Sequence, residues 1–209
     1  MKLHWVAIKK ELVLQVGINN YMDNTKNIFI ELGSCDYDTF IPLLKTGNWN
    51  GIFIEPVEYY SNSLEQQLNE LSLKNSWALE KTAISNYVGE IEMNICMPEN
   101  GYSRGLSFLT DTIDIPHMQE QPHQNWKKQI TKVTTLDNII EKNNIEKIDL
   151  LKIDIEGHEL NVLENYSWKI IPNTLILEYR YSNQQKIKEI LESKGYFLLW
   201  DYWNVTAIL

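Results

Sequence analysis

The segment Ile148-Asp149-Leu150-Leu151-Lys152-Ile153-Asp154-Ile155-Glu156-Gly157-His158-Glu159-Leu160 gathers three acids and an imidazole within six residues, at Asp154, Glu156, His158 and Glu159. Carboxylates and a neutral imidazole can take protons, position hydroxyls or hold a charge, so general acid–base work is the chemistry this set suits best. Ordinary alternatives exist: acids favour a helix N-terminus through its dipole, and His158 can serve as a cap. The apolar, β-branched start reads as a buried strand ending near Asp154. Leu160, Val162, Leu163 and Trp168 then suit one face of a short helix. The polar cluster therefore falls where a strand hands over to a helix, the rim at which open α/β sheets bind ligands.

Three further apolar runs end in an acid: Asn27 to Leu32 carries Glu31, Gly51 to Ile54 runs into Glu55, and Asn173 to Leu177 runs into Glu178. If these strands are parallel, Glu31, Glu55, Asp154 and Glu178 gather along one rim. Glu55 lies 24 residues after Glu31, close to the place where a dinucleotide fold puts the acid that accepts from ribose hydroxyls. The glycine fingerprint for a pyrophosphate is poor, because Gly33 is followed by Cys35 and Tyr37. A nucleoside ligand without a pyrophosphate, such as S-adenosylmethionine (SAM), is less sensitive to side chains there.

The elements that must carry these residues alternate. Helical patterns fall at Phe40 to Leu44, at Tyr60 to Leu71, around Leu136, Ile139 and Ile140, and around Ile187 to Leu191. Ser76 to Ile84 supplies a third strand, and Gly89 to Met97 a further extended segment. Tyr196 to Trp200 and Val205 to Leu209 flank a polar turn and read as a hairpin. Strands alternating with helices predict an α/β fold: a mostly parallel sheet, helices on both faces and an antiparallel C-terminal hairpin. From Pro98 to Lys132 the periodicity dissolves, and a stretch of this kind predicts a loop or lid on the acceptor side. Within it, His117 and His123 could reach a metal with Asp154 or Glu156, but six-residue spacing in a loop suits surface histidines better, so no metal ligand is assigned and a metal's part stays open. Trp126 and Tyr102 are candidates for stacking on a sugar, with loop packing at least as good a reading.

At 209 residues, with 44% hydrophobic and 22% charged side chains, the chain reads as a single domain over residues 1–209. Residues 1–25 form an N-terminal extension whose Glu11 to Val16 run suits a strand or a helix equally. A net charge of −9 argues against a nucleic-acid partner. Two cysteines without CxxC spacing give no disulfide framework. No apolar run is long enough to span a bilayer, so a cytoplasmic protein is expected; its oligomeric state stays open.

The motifs Phe29-Ile30-Glu31-Leu32-Gly33-Ser34, Ile54-Glu55-Pro56, Ala83-Ile84-Ser85 with Gly89, Thr135-Leu136-Asp137 and Asp149 to Glu159 resemble those of the FkbM-type family of SAM-dependent methyltransferases. The resemblance runs from about Ile28 to about Leu163, with Glu178 as a later member. It implies a Rossmann-like class I methyltransferase fold with a seven-stranded sheet and methyl transfer to a hydroxyl of a small molecule, usually a sugar or natural product. It implies that Glu31 holds the methionine end, that Gly33 and Ser34 let the backbone approach it, that Glu55 with Pro56 binds the ribose and that Ala83 lies near the adenine. Asp154 and Glu156 then face the reacting methyl and acceptor. Asp154 is the expected positioner or base, with Glu156 or His158 assisting. Tyr37 departs from the family pattern, standing where a glycine is usual. Two other readings compete: a nucleotide-linked oxidoreductase on the same sheet, and a non-catalytic SAM-fold binding module.

Overall fold

The computed structural model describes residues 26–37, 39–71, 73, 76–97, 105–111 and 126–209. The chain alternates as the apolar runs predict: β1 (Asn27–Leu32), α1 (Ile41–Lys45), β2 (Trp49–Ile54), α2 (Glu58–Glu70), β3 (Trp77–Glu80), β4 (Ala83–Ile84), β5 (Gly89–Cys96), β6 (Phe108–Leu109), β7 (Trp126–Thr134), α3 (Leu136–Lys142), β8 (Leu150–Ile153), α4 (Glu159–Asn165), β9 (Thr174–Glu178), α5 (Gln184–Ser193), β10 (Phe197–Trp200) and β11 (Asn204–Ile208).

The main sheet has the order β3-β2-β1-β8-β9-β11-β10. The first five of these strands pair in parallel, whereas β11 runs antiparallel to both β9 and β10. Seven strands closed by a C-terminal hairpin thus match the expected sheet. A parallel sheet must be covered on both faces, which explains why β1, β2 and β8 are apolar on successive residues rather than alternately. Ile30, Leu32, Ile52, Ile54, Leu151 and Ile153 pack on one side with residues of α3, α4 and α5. Phe29, Phe53 and Leu150 pack on the other with Leu43 and Leu44 of α1 and Leu64 and Leu68 of α2. Local signals close the helices: Thr135 accepts from the Asn138 N–H at 3.2 Å and Asn183 from the Lys186 N–H at 3.1 Å, each satisfying a first-turn donor.

A second, four-stranded sheet of order β4-β7-β5-β6 stands beside the main one. It corrects two expectations. The run Ser76 to Ile84 is two strands, one in each sheet, interrupted at Lys81-Thr82. Residues 126–132, read as part of an irregular stretch, belong to β7, which pairs antiparallel with β5 from Trp126 to Val133. The reason is physical: β7 is held by backbone pairing along its length, with apolar packing only near its ends, at Trp126 and Val133. Its Ile130 is 65% exposed while Thr131 is buried, so its sequence shows no alternation. The Gln129 side-chain amide donates to the Pro56 carbonyl at 3.0 Å and ties this sheet to the β2–α2 turn. Residues 98–104 and 112–125, with Tyr102, His117 and His123, lie outside the described residues, as do the 1–25 extension and its Glu11 to Val16 run. Among the described residues no helix is long and apolar enough to cross a membrane.

Candidate active site

The strand order reverses between β1 and β8, so the chain leaves the sheet in opposite directions there and opens a crevice at the strands' carboxyl ends. Gly33 makes the narrowest point. Its φ is +76°, and a Cβ added to it would lie 1.8 Å from the Asp154 carbonyl oxygen. Any side chain would therefore push the ends of β1 and β8 apart.

One cleft opens at this place. Gly33, Glu55, Pro56, Ala83, Asp154, Glu156 and His158 line it together with Tyr60, Met93, Ser107 and Leu109. The sequence-predicted residues thus converge, except for Glu31 and Ser34, which the structure employs elsewhere. Glu31 is wholly buried. Its carboxylate accepts the Phe40 N–H at 3.0 Å and faces Lys152 Nζ at 3.3 Å, so it fixes the β1–α1 turn and the cross-strand lysine. Ser34 donates to the Glu31 carbonyl and accepts the Ile54 N–H, at 2.9 and 3.1 Å, stapling the ends of β1 and β2.

Glu55 stands at the cleft with both oxygens engaged: Oε2 accepts the Cys35 N–H at 2.7 Å and Oε1 the Val57 N–H at 2.8 Å. A carboxylate has about four lone-pair sites, so both oxygens keep capacity toward the cleft. Burial pushes its carboxyl up to about 7, against the backbone N–H bonds, which pull it down. Tyr60 of α2 is buried and donates to the Cys96 carbonyl at 2.6 Å, joining the helix to β5. With Met93, Leu109, Val133 and Ala83 it forms an apolar wall.

On the other side of the cleft the turn after β8 is held by Glu159, which accepts the Ile155 N–H at 3.0 Å, the Gly157 N–H at 3.0 Å and the Ser182 hydroxyl at 2.9 Å. Around that anchor the backbone takes left-handed conformations at Glu156 (φ 55°) and Gly157 (φ 106°). Asp154 remains part-exposed, with Oδ2 3.4 Å from Lys152 Nζ. Glu156 is buried, and its Oε2 has no hydrogen-bond partner among the described residues. Burial first, then the neighbouring carboxylates Glu178, Asp154 and Glu159, raises its carboxyl well above the ordinary range. Glu178 is pushed up to about 9 by burial and by Asp154 and Glu159.

His158 is 1% exposed. Its Nδ1 lies 3.1 Å from Ser85 Oγ and 3.3 Å from Asn161 Nδ2. Asp111 Oδ1 stands 3.1 Å from Nε2, near enough for charge attraction but out of line for a hydrogen bond. Burial lowers the imidazole's pKa, with Asp111 opposing. Both ring nitrogens thus face protein groups.

Tyr37 does not fill the cleft: it is 43% exposed, and its hydroxyl stands against Gly105. Sequence reasoning missed Tyr60, Met93, Ser107, Leu109 and Asp111. Tyr60 showed only a helix-face signal, and Asp111 lies 47 residues from His158 along the chain, beyond any local pattern.

A mostly parallel sheet with a cleft at its switch point, an acid after the second strand and a C-terminal antiparallel hairpin defines a Rossmann-like α/β architecture. The chain belongs to the FkbM methyltransferase domain family, whose model matches residues 15–198. Methyltransferase sdnD of Sordaria araneosa is 38% identical over 56 residues, 25% of this chain and 22% of that protein; the match therefore spans about a fifth of that relative. The fold is similar to the N-terminal domain of human METTL16, with a TM-score of 0.52 at 12% identity over 100% of this chain and 69% of the other. The same human domain in complex with SAH gives a TM-score of 0.50 at 13% identity, over 100% and 70%.

Proposed function

We propose that this protein transfers the methyl group of SAM to a hydroxyl of a small molecule, a sugar or natural product being the acceptor class. The observation that carries the reading is the convergence of Gly33, Glu55 and Ala83 with Asp154 and Glu156 on one cleft. Family membership and a fold relative in complex with SAH support the cofactor. The residues present fit it. Gly33 keeps the ends of β1 and β8 in close approach at the cleft, Glu55 turns a buried carboxylate toward ribose hydroxyls, and the Ala83, Met93 and Leu109 wall suits an apolar ring face. SAM supplies an electrophilic methyl carried on a sulfonium, open to in-line displacement.

The chain's own residues then divide the work. Positioning in the cleft supplies much of the rate. The acceptor hydroxyl must lose a proton as the new bond forms, and Asp154 takes it. It is the carboxylate that lines the cleft and stays part-exposed, with Lys152 Nζ 3.4 Å from its Oδ2. His158 orients the turn instead, since both its nitrogens face protein groups. Glu156 is buried, and that burial raises its carboxyl, so the proton transfer is assigned to its more accessible neighbour.

The test is calorimetric titration with SAM and with S-adenosylhomocysteine. Saturable binding of both is expected, with no binding of NAD(H). Glu55→Ala removes a charged hydrogen-bond acceptor, worth roughly 1.5 to 3 kcal/mol, so affinity should fall about 10- to 150-fold. An unchanged dissociation constant in that variant would overturn the ribose assignment.

A further inference from the structure

Asp154 closes β8, Glu178 closes β9 and Glu156 sits on the turn between them. Each of the three carboxylates offers one oxygen such that all three oxygens lie within 4.8 Å of one another. Oxygens sharing one cation at bond lengths of roughly 2.0 to 2.5 Å are at most about 4 to 5 Å apart, so the set already has the spread of a coordination shell. An acidic cluster alone says little, because adjacent strand ends bring acids together for many reasons. The second observation is Glu156. It is 8% exposed, and its Oε2 is sealed from solvent with no hydrogen-bond partner among the described residues. A buried, unsatisfied carboxylate oxygen costs several kcal/mol in a site that does nothing with it (about 1 to 3 for a neutral group, more for a charged one).

The local cations neutralise the cluster only in part: Arg180 acts by charge on Glu156 and Glu178 but is not among their hydrogen-bond or ion-pair partners in the described residues. Lys152 Nζ is shared between Glu31 at 3.3 Å and Asp154 Oδ2 at 3.4 Å, leaving Asp154 a second oxygen. The Arg180 guanidinium is stacked over Tyr181 at 4.9 Å and Trp203 at 4.5 Å. From the set of three oxygens and their position at the cleft, we propose that Asp154, Glu156 and Glu178 bind a hard divalent cation of the Mg²⁺ type. An all-oxygen set selects Mg²⁺, Mn²⁺ or Ca²⁺ over softer metals. Three protein ligands leave coordination positions for water or an acceptor, as Mg²⁺ sites commonly do. The sequence assigns no metal ligand and leaves His117 and His123 as surface residues; the proposed set lies on the rim of strand ends instead.

The site's use rests on the methyltransferase reading. Asp154 and Glu156 line the cleft, so a cation there would hold acceptor oxygens beside the reacting methyl and make their protons easier to remove; with the cation bound, Asp154 would act as ligand and positioner and the proton would pass to water. The acceptor class narrows accordingly to molecules with adjacent oxygen ligands, such as vicinal diols or hydroxy acids.

Titration of the full chain with Mn²⁺, followed by the electron paramagnetic resonance of the free ion, tests the proposal. One saturable site per chain is expected, displaced by Mg²⁺. Glu178→Gln and Glu156→Gln should each weaken it by ~10- to 100-fold or more, since even the outer-shell partners of metal ligands cost that much. Glu164→Gln, on the exposed face of α4 beside Lys186, should leave it unchanged. Thermal midpoints measured without cation should stay near wild type for both cluster variants, which separates a lost site from a lost fold. No saturable Mn²⁺ binding, or binding indifferent to both cluster variants, overturns the site. SAM titration of the same samples separates the two readings: SAM binding without a Mn²⁺ site removes the cation alone, and a Mn²⁺ site without SAM binding removes the methyltransferase reading alone.

Discussion

Asp154, Glu156 and His158 are neighbours in sequence, yet their surroundings give them different chemistry. His158 is neutral and enclosed between Ser85, Asn161 and Asp111. Glu156 is sealed, and burial raises its carboxyl. Asp154 alone combines access to the cleft with a nearby lysine. The nearly isosteric Asp154→Asn exchange therefore isolates its basicity. Turnover on a hydroxyl acceptor found by screening should drop by ~10² to 10⁴, while SAM affinity changes by only a few-fold. The fold should survive, since losing the charge beside Glu178 offsets losing the one beside Lys152. Full turnover in the Asn variant would take Asp154 out of the reaction, and joint loss of SAM binding would make it a cofactor ligand.

At the scale of elements, the cleft exists because β1 and β8 are neighbours whose connections diverge, and Gly33 lets them stay close. Gly33→Ala places a side chain in a left-handed backbone, which costs about 1 to 3 kcal/mol, and drives its Cβ into the Asp154 carbonyl. Destabilisation by at least that amount in urea unfolding, with loss of measurable SAM binding, is the expected outcome; wild-type values for both would show that the junction can open freely. The strand ends were legible because a parallel sheet writes itself as uninterrupted apolar runs. Glu31, Glu55, Asp154 and Glu178 each terminated one, and the C-terminal hairpin announced itself at the turn around Asp201. Function within those ends was less legible. Glu31 and Glu55 look alike in sequence, but the fold turns Glu31 toward Lys152 and the Phe40 amide and Glu55 toward the cleft. The β7 strand was hidden because its Lys-Lys-Gln-Ile-Thr-Lys run shows no apolar alternation, and the wall it supports became visible only through pairing with β5.

For the molecule as a whole, an acid-rich rim inside a chain of net charge −9 makes stability depend on pH in a direction that can be stated. Glu55 faces Asp36, which repels its charge, and Lys152, which favours it, but burial dominates and sets its carboxyl at about 7 against an ordinary 4.5. Between those values the folded chain holds a proton that the unfolded chain has released. The folded state is thus favoured by this group below about 4.5, and the advantage is lost as pH rises through about 7. A tenfold difference in proton affinity between the two states is worth ~1.4 kcal/mol, so the loss is about 3 kcal/mol at most. Thermal midpoints measured from mildly acidic to mildly alkaline buffer should decline across this window. In Glu55→Gln the same series should start lower, because the amide cannot accept both the Cys35 and Val57 N–H groups, and should then run flatter. SAM binding should show the mirror image: an ionised Glu55 accepts better from ribose hydroxyls, so affinity should rise with pH through the same window and proton release should appear in calorimetry across buffers. A wild-type midpoint that rises with pH over this range would contradict the buried-carboxyl account of Glu55.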